Sequence, residues 1–351
     1  MTAVLPPPSA AGGAPITPGR PRLVPTARGP ITEHLLDHLS RGVHEITPLP
    51  IGDADPLGDD DAALALYLCY EQHYLGLPDV EEAWEWEPSL LRERRRLEVA
   101  FEQQLLRVVG DVPIALSRRQ VRDEVSRLAT TPNGPSLSAY MEAEGTLEQM
   151  REFAVHRSAY QLKEADPHTW AIPRLTGRAK AALVDIQQGE YGEGVVTEVH
   201  ANLFAGVMDE LGLDATYGAY IDRLPAITLA TCNLVSLFGL HRRWRGAPVG
   251  HLALFEMCSV GPMGRYQSAL ERLGMGPRAV HFYEAHVIAD ERHQTVALDE
   301  MVAGLVEEEP FLGGEVVFGA KALAAVEQRL TEHLLGAWAT GQSSLLPAPL
   351  A

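Results

Sequence analysis

Phe282-Tyr-Glu-Ala-His286-Val-Ile-Ala-Asp290-Glu-Arg-His293-Gln294 contains no glycine or proline, and the chain stays free of both as far as Met301. The stretch therefore predicts a helix. At about 100° per residue, positions 286, 290 and 293 fall at roughly 0°, 40° and 340° around its axis. Two imidazoles and a carboxylate thus share one stripe, close to the small and apolar Ala285, Ala289, Val296 and Ala297. A carboxylate and a histidine three residues apart on a helix is a spacing by which helical bundles present metal ligands inward. A solvated helix carries one or two histidines by chance; three ligand-type residues on its packed side point to a metal.

The 351 residues suffice for one large domain or two small ones, and 46 % hydrophobic residues provide for a core. Lys plus Arg number 29 against 47 Asp plus Glu, a net charge of -18. That balance excludes a nucleic-acid surface, which needs local positive charge, and disfavours anionic membranes. Cys69, Cys232 and Cys258 form no CxxC pair and no even-numbered framework, as expected of reduced thiols in a cytoplasmic protein. No apolar run approaches the ~20 residues of a membrane span, and the N-terminus lacks the order of a signal peptide.

Residues 1–30 are rich in Pro, Ala and Gly and read as a disordered or surface arm. Residues 31–135 read as a helical segment packed on the core, with helices over Thr32–Ser40, Ala62–Tyr74 and Ser89–Val109. The acidic loop Gly52 to Asp61 lacks the ligand order of a calcium loop and suits a solvated helix N-terminus. The run Arg92-Glu-Arg-Arg-Arg96 reads as an outer charged face. The turn cluster Thr131-Pro-Asn-Gly-Pro-Ser136 marks a boundary. Residues 136–345 then read as a helical bundle. One helix spans about 138–164. A second runs from 177 to Glu190, meets Gly192 and Gly194, and resumes over 197–211. Others cover about 214–240, 247–260, 263–273, 277–304 and 315–340.

Two further helices offer ligands. Glu190 and His200 lie ten apart, about 80° from sharing a face on an unbroken helix, and the intervening glycines permit the distortion that would turn both inward. Glu164 ends the helix before them, with His168 four residues on as the alternative. Taken singly, Glu164, Glu190 and His200 are ordinary surface groups. Carboxylates and imidazoles without thiolates fit Fe(II), Mn(II) or Zn(II) and not an iron–sulfur cluster. Tyr160, Tyr191 and Tyr283 lie within about a turn of these residues, placed to hydrogen-bond ligands or simply to pack. Glu256 stands in the apolar run Leu252-Ala-Leu-Phe-Glu-Met-Cys258, where a charge needs a partner. An amine or guanidinium substrate would serve, and so would Arg265.

Leu162-Lys-Glu164 through Leu175, Glu190-Tyr-Gly-Glu-Gly194, His200-Ala-Asn-Leu-Phe204 and His286-x3-Asp290-x2-His293 together resemble the heme-oxygenase-like di-iron oxidases, or iron-containing redox enzymes, over roughly residues 140–340. The resemblance implies an all-α, heme-oxygenase-like seven-helix bundle, here with an extra N-terminal helical segment. It implies an enzyme holding two iron ions through Glu164, Glu190, His200, His286, Asp290 and His293. It would use O2 and an external electron donor, a reductase or chemical source. Known members include N-oxygenases of natural-product biosynthesis, such as the N-oxygenase domain of nitrosourea synthase, whose ten-residue Glu–His spacing this chain shares. That domain has one more glutamate, three before the helix-opening His. Here that position is Thr197, with Glu198 about 100° away, so the extra carboxylate is missing. The resemblance thus implies oxidation of a small amine or amino-acid-derived metabolite, first of all by N-oxygenation. Its rival is oxidative C–C cleavage or desaturation of an aliphatic acid or amino acid. A metal-free helical binding protein is the reading from another class. A heme oxygenase would draw on an early histidine, His34, His38 or His44, and leaves the late triad unexplained. A thiaminase-like relative would need a nucleophilic cysteine, whereas Cys232 and Cys258 read as buried apolar residues. The apolar N-terminal helices have surface to bury against a second copy in a homodimer.

Overall fold

The computed structural model describes residues 16–114, 116–131 and 134–348. Among them there are helices and no strand. In chain order these are α1 (Pro30–Leu39), α2 (Asp60–Glu71), α3 (Pro88–Val109), α4 (Arg118–Thr130), α5 (Leu137–Ala143), α6 (Leu147–Gln161), α7 (Asp166–Thr169), α8 (Gly177–Glu190), α9 (His200–Glu210), α10 (Ala226–Leu240), α11 (Ala247–Arg272), α12 (Pro277–Thr295), α13 (Ala303–Glu308) and α14 (Gly313–Ala339).

Residues 1–15 of the expected arm, and Pro132 and Asn133 of the expected turn cluster, lie outside the described residues. The rest of the arm is a strap. Thr26 donates to Asp222 from its backbone and its hydroxyl, and Arg28 donates to the Ile221 carbonyl. The acidic loop does cap a helix, since Asp59 accepts from the first turn of α2. Asp61, however, is buried and accepts from Ile31 and Thr32 at the start of α1, so it fastens two helices together. The arginine run also differs from an outer face. Arg94 is largely buried and pairs with the buried Glu98, while Arg92, Arg95 and Arg96 stay at the surface.

Four helix readings change. The helix expected over about 214–240 begins only at Ala226, after a stretch of turns ending in the short 3-10 turn Ile221–Arg223. The helix expected over 138–164 is two, α5 and α6, with a break ended by the Thr146 capping box of α6. The break expected near Pro262 is absent: α11 continues through it, packed on α12 and α14, so tertiary contacts override the lost hydrogen bond. Helix α12 does not continue as a plain α-helix. Val296–Val302 winds as a π-helix whose Ala297, Leu298, Met301 and Val302 are buried, next to α8 and α11. The wider turn shifts the helix phase immediately after His293.

The apolar side chains of α1–α3 share a cluster with α10 and α14. In α2 every residue from Ala62 to Tyr70 is buried within the chain. Lys163 and Glu71, both buried, form an ion pair that joins α2 to the turn after α6. Glu71 also accepts from Tyr217 Oη at 2.7 Å. Burying a charge is tolerable only with such partners. A Cβ at Gly250 would lie 1.8 Å from the Val316 oxygen, and one at Gly319 2.0 Å from the Ala247 oxygen. Helices α11 and α14 therefore touch backbone to backbone.

Candidate metal centre

Glu164 leaves the end of α6 in a tight turn. Ala165, which follows, has φ +74°, a left-handed conformation costly for a residue with a Cβ. The turn is held by Gln187, whose amide donates to the Ala165 oxygen at 2.8 Å. Glu190 is the last residue of α8 and His200 the first of α9. The linker between them is a loop and not a bulged helix. Gly192, Glu193 and Gly194 all have positive φ, and a Cβ on Gly192 would lie 2.4 Å from the Glu198 carbonyl carbon. Only glycine lets the loop fold back this closely. It returns the chain so that His200 Nδ1 lies 2.8 Å from Glu190 Oε2.

His286, Asp290 and His293 all face inward from α12, as their spacing requires. His286 Nδ1 faces the Phe282 carbonyl at 2.8 Å. A carbonyl only accepts, so that nitrogen carries a proton and a neutral ring turns its Nε2 lone pair toward the centre. His286 Nε2 is 3.5 Å from Glu164 Oε2. His293 Nδ1 lies 3.4 Å from Glu256 Oε2, 3.7 Å from Asp290 Oδ1 and 4.0 Å from Glu190 Oε1. Gly189 makes room for this ring. A Cβ there would meet His293 Cε1 at 2.8 Å.

Two groups of four result, each with its candidate ligand atoms within 4.8 Å of one another. One is Glu164, Glu190, His200 and His286; the other is Glu190, Glu256, Asp290 and His293. Glu190 belongs to both, with Oε2 toward His200 and Oε1 toward His293. All seven residues are only 2–7 % exposed.

Four carboxylates in so dry a place repel one another unless cations answer them. Burial raises the Glu164 carboxyl, only partly opposed by His286. Burial, with Asp290 and Glu190 nearby, raises Glu256 well above the usual carboxylate range. Against their own burial, the surrounding carboxylates, Glu164 foremost, push His286 up to about 10; Asp290 and Glu256 do the same for His293. Glu190 is depressed to about 2, because His200, His286 and His293 outweigh its burial. Without metal, protons answer the charge. Two divalent cations would balance the four carboxylates and let the three imidazoles stay neutral. His286 Nε2 and His293 Nδ1, both buried, have no hydrogen-bond partner. Once deprotonated, nitrogens in that position fit a metal.

The remaining predicted residues separate. Tyr160 and His168 line the small cavity around Glu164, Glu190 and Glu256. His168 Nε2 is 3.0 Å from His251 Nδ1. Tyr191 turns away and donates to Asp166 at 2.8 Å, and Tyr283 lines a larger pocket instead. Thr197 is exposed and lies before α9, outside the centre. Glu256 is not paired with Arg265, which lies near Glu142 and Ser138. Its place is in the second group of candidate ligands, and its sequence signal was a lone carboxylate in an apolar helix. Cys232 is buried as expected. Cys258 is exposed and lines the larger pocket, because it points away from the centre. Sequence reasoning passed over Gln161, whose amide nitrogen, turned toward Glu164, donates to Oε2 at 3.0 Å. It also passed over Ser259, whose hydroxyl donates to Asp290.

The larger pocket, about 740 Å³, adjoins the centre. Phe255 lines both, and Gln161 and Ser259 reach from its wall to the ligands. Its walls are mainly apolar, with Phe153, Phe204, Met263 and Tyr266, and Arg157 pairs with Glu327 at 2.8 and 2.6 Å.

A family model described as iron-containing redox enzyme matches residues 151–328, half of the chain, from within α6 to within α14. The chain belongs to this family, and with it to the heme-oxygenase-like all-α proteins and to the oxidoreductases. Compared with curated proteins, the chain finds no match. Among the described residues no helix is long and apolar enough to cross a membrane.

Proposed function

We propose that the protein is an O2-activating, non-heme di-iron oxidase acting on a small amine or amino-acid-derived metabolite, first of all by N-oxygenation. The observation that carries this reading is Glu190, whose two oxygens face two separate groups of ligands. Glu164, His200 and His286 would hold one iron, and Glu256, Asp290 and His293 the other, with Glu190 facing both groups. Two irons bound there supply the binding and reduction of O2. Glu256 provides from α11 the further carboxylate that Thr197 does not.

The protein's own residues do the rest. Burial of the seven ligands keeps bulk water out, and the Phe282 carbonyl fixes the His286 ring. Gln161 and Ser259 hold the Glu164 and Asp290 carboxylates from the pocket side. The pocket takes the apolar part of the substrate. The Arg157–Glu327 pair offers a cation for a carboxylate and a carboxylate for an amine.

Incubation of iron-loaded protein with O2, a reductant or reductase and a panel of amines and amino acids tests the reading. O2 uptake stimulated by one compound, with a product heavier by oxygen, is expected. A product lighter by hydrogen or carbon replaces N-oxygenation with desaturation or cleavage. Failure to bind iron returns the protein to the class of metal-free binding proteins.

A further inference from the structure

The early histidines take no part in the centre, yet they come together in the N-terminal segment. His34 and His38 are one turn apart on α1, so their rings share a face. Their Nε2 atoms are 3.3 Å apart. Thr47 Oγ1 lies 2.7 Å from His34 Nε2 and 3.1 Å from His38 Nε2. Two imidazole nitrogens on one tetrahedral ion, at bonds of about 2.05 Å, are themselves about 3.3 Å apart. The pair already has the bite of a chelate.

The groups behind it set the proton positions. His44 Nδ1 faces the Gly42 carbonyl at 2.7 Å, so it bears a proton, and a neutral His44 accepts at Nε2. His38 Nδ1 lies 2.7 Å from that Nε2 and donates to it when it carries the proton, while the donor-only Arg41 guanidinium reaches the same Nδ1. In the tautomer that donates to His44, the lone pair of His38 is on Nε2, facing His34. A carbonyl–imidazole–imidazole chain of this kind orients metal-binding histidines. His44 is itself packed edge-on against the buried Trp84. The Arg41 guanidinium approaches the other nitrogen of His38, Nδ1, at 3.1 Å, and its charge is answered by Asp37 at 2.7 Å. His34 is half-buried and Thr47 exposed, so an ion reaches the pair from solvent.

We propose that His34 Nε2 and His38 Nε2 chelate a borderline divalent transition-metal ion such as Zn(II) or Cu(II), with Thr47 Oγ1 beside it and water completing the shell. His44 is a positioning residue. The site is separate from the iron centre and does not rest on the di-iron reading.

Copper(II) is the probe, since nitrogen ligands hold it most tightly among these ions. The full chain, loaded with iron, is titrated with Cu(II) and followed by electron paramagnetic resonance. One copper per chain with two imidazole nitrogens is expected. His34→Gln should weaken binding at least tenfold and leave a single-nitrogen signature. His44→Gln should weaken it about tenfold while both nitrogens remain. His286→Ala should leave this copper signal in place. No two-nitrogen copper signal in the parent protein, unchanged binding in His34→Gln, or loss of the signal in His286→Ala in place of His34→Gln, overturns the proposal.

Discussion

Replacing Gly189 by alanine sets two opposite effects against each other. In a helix interior the change would favour folding by about 1 kcal/mol, an upper bound for Gly189 in the last turn of α8. Here the new Cβ would lie 2.8 Å from His293 Cε1, where ordinary contact begins at 3.4 Å. The ring must retreat by about 0.6 Å, and overpacking of this kind costs about 1–3 kcal/mol. The metal-free variant should therefore fall short of the helix-propensity gain, with a net loss of about 0–2 kcal/mol in a denaturant titration. The larger consequence is for metal, because ligand distances tolerate only about 0.2 Å. Glu256, Asp290 and His293 should no longer hold an ion, while Glu164, His200 and His286 still do. Iron per chain should fall from two to one. A variant that is about 1 kcal/mol more stable and still binds two irons would refute the argument.

Glu256→Gln should likewise leave about one iron per chain by elemental analysis, whereas Thr197→Ala should leave iron content unchanged and shift stability by less than about 0.5 kcal/mol. Gly192→Ala combines positive φ with a Cβ 2.4 Å from the Glu198 carbonyl carbon; a loss of about 2 kcal/mol or more in chemical denaturation is expected, together with weaker iron binding. His286 and His293 have folded-state pKa values raised to about 10, so in the metal-free protein their contribution to stability is full below about pH 6.5 and is lost as pH rises toward 10. Iron loading at pH 7.5 must displace these protons, and calorimetry in buffers of different ionisation enthalpy should register release of at least two per chain.

The helical periodicity of α12 was legible because three ligands on one helix follow from its pitch alone. Glu190 and His200 were legible as candidates, but not the way they meet. A positive-φ loop closed on the Glu198–Val199 backbone brings them together, and periodicity holds no information on a loop. Glu256 was visible as a charge in an apolar helix, but its expected partners were a substrate cation or Arg265. Its true neighbours lie on α8 and α12, far away in sequence, and only packing of α11 against α12 supplies them. The continuation of α11 through Pro262 and the π turn after His293 are also tertiary outcomes. The apolar pattern marked both stretches as buried helix, but it could not register which local preference packing would override.

Anomalous diffraction at the iron edge, from crystals grown with Fe(II) under anaerobic conditions, tests the central claim most directly. Two peaks about 3.5–4 Å apart are expected, one beside Glu164, His200 and His286, one beside Glu256, Asp290 and His293, with the Glu190 carboxylate between them. A single peak, or iron bound away from Glu190, would contradict it.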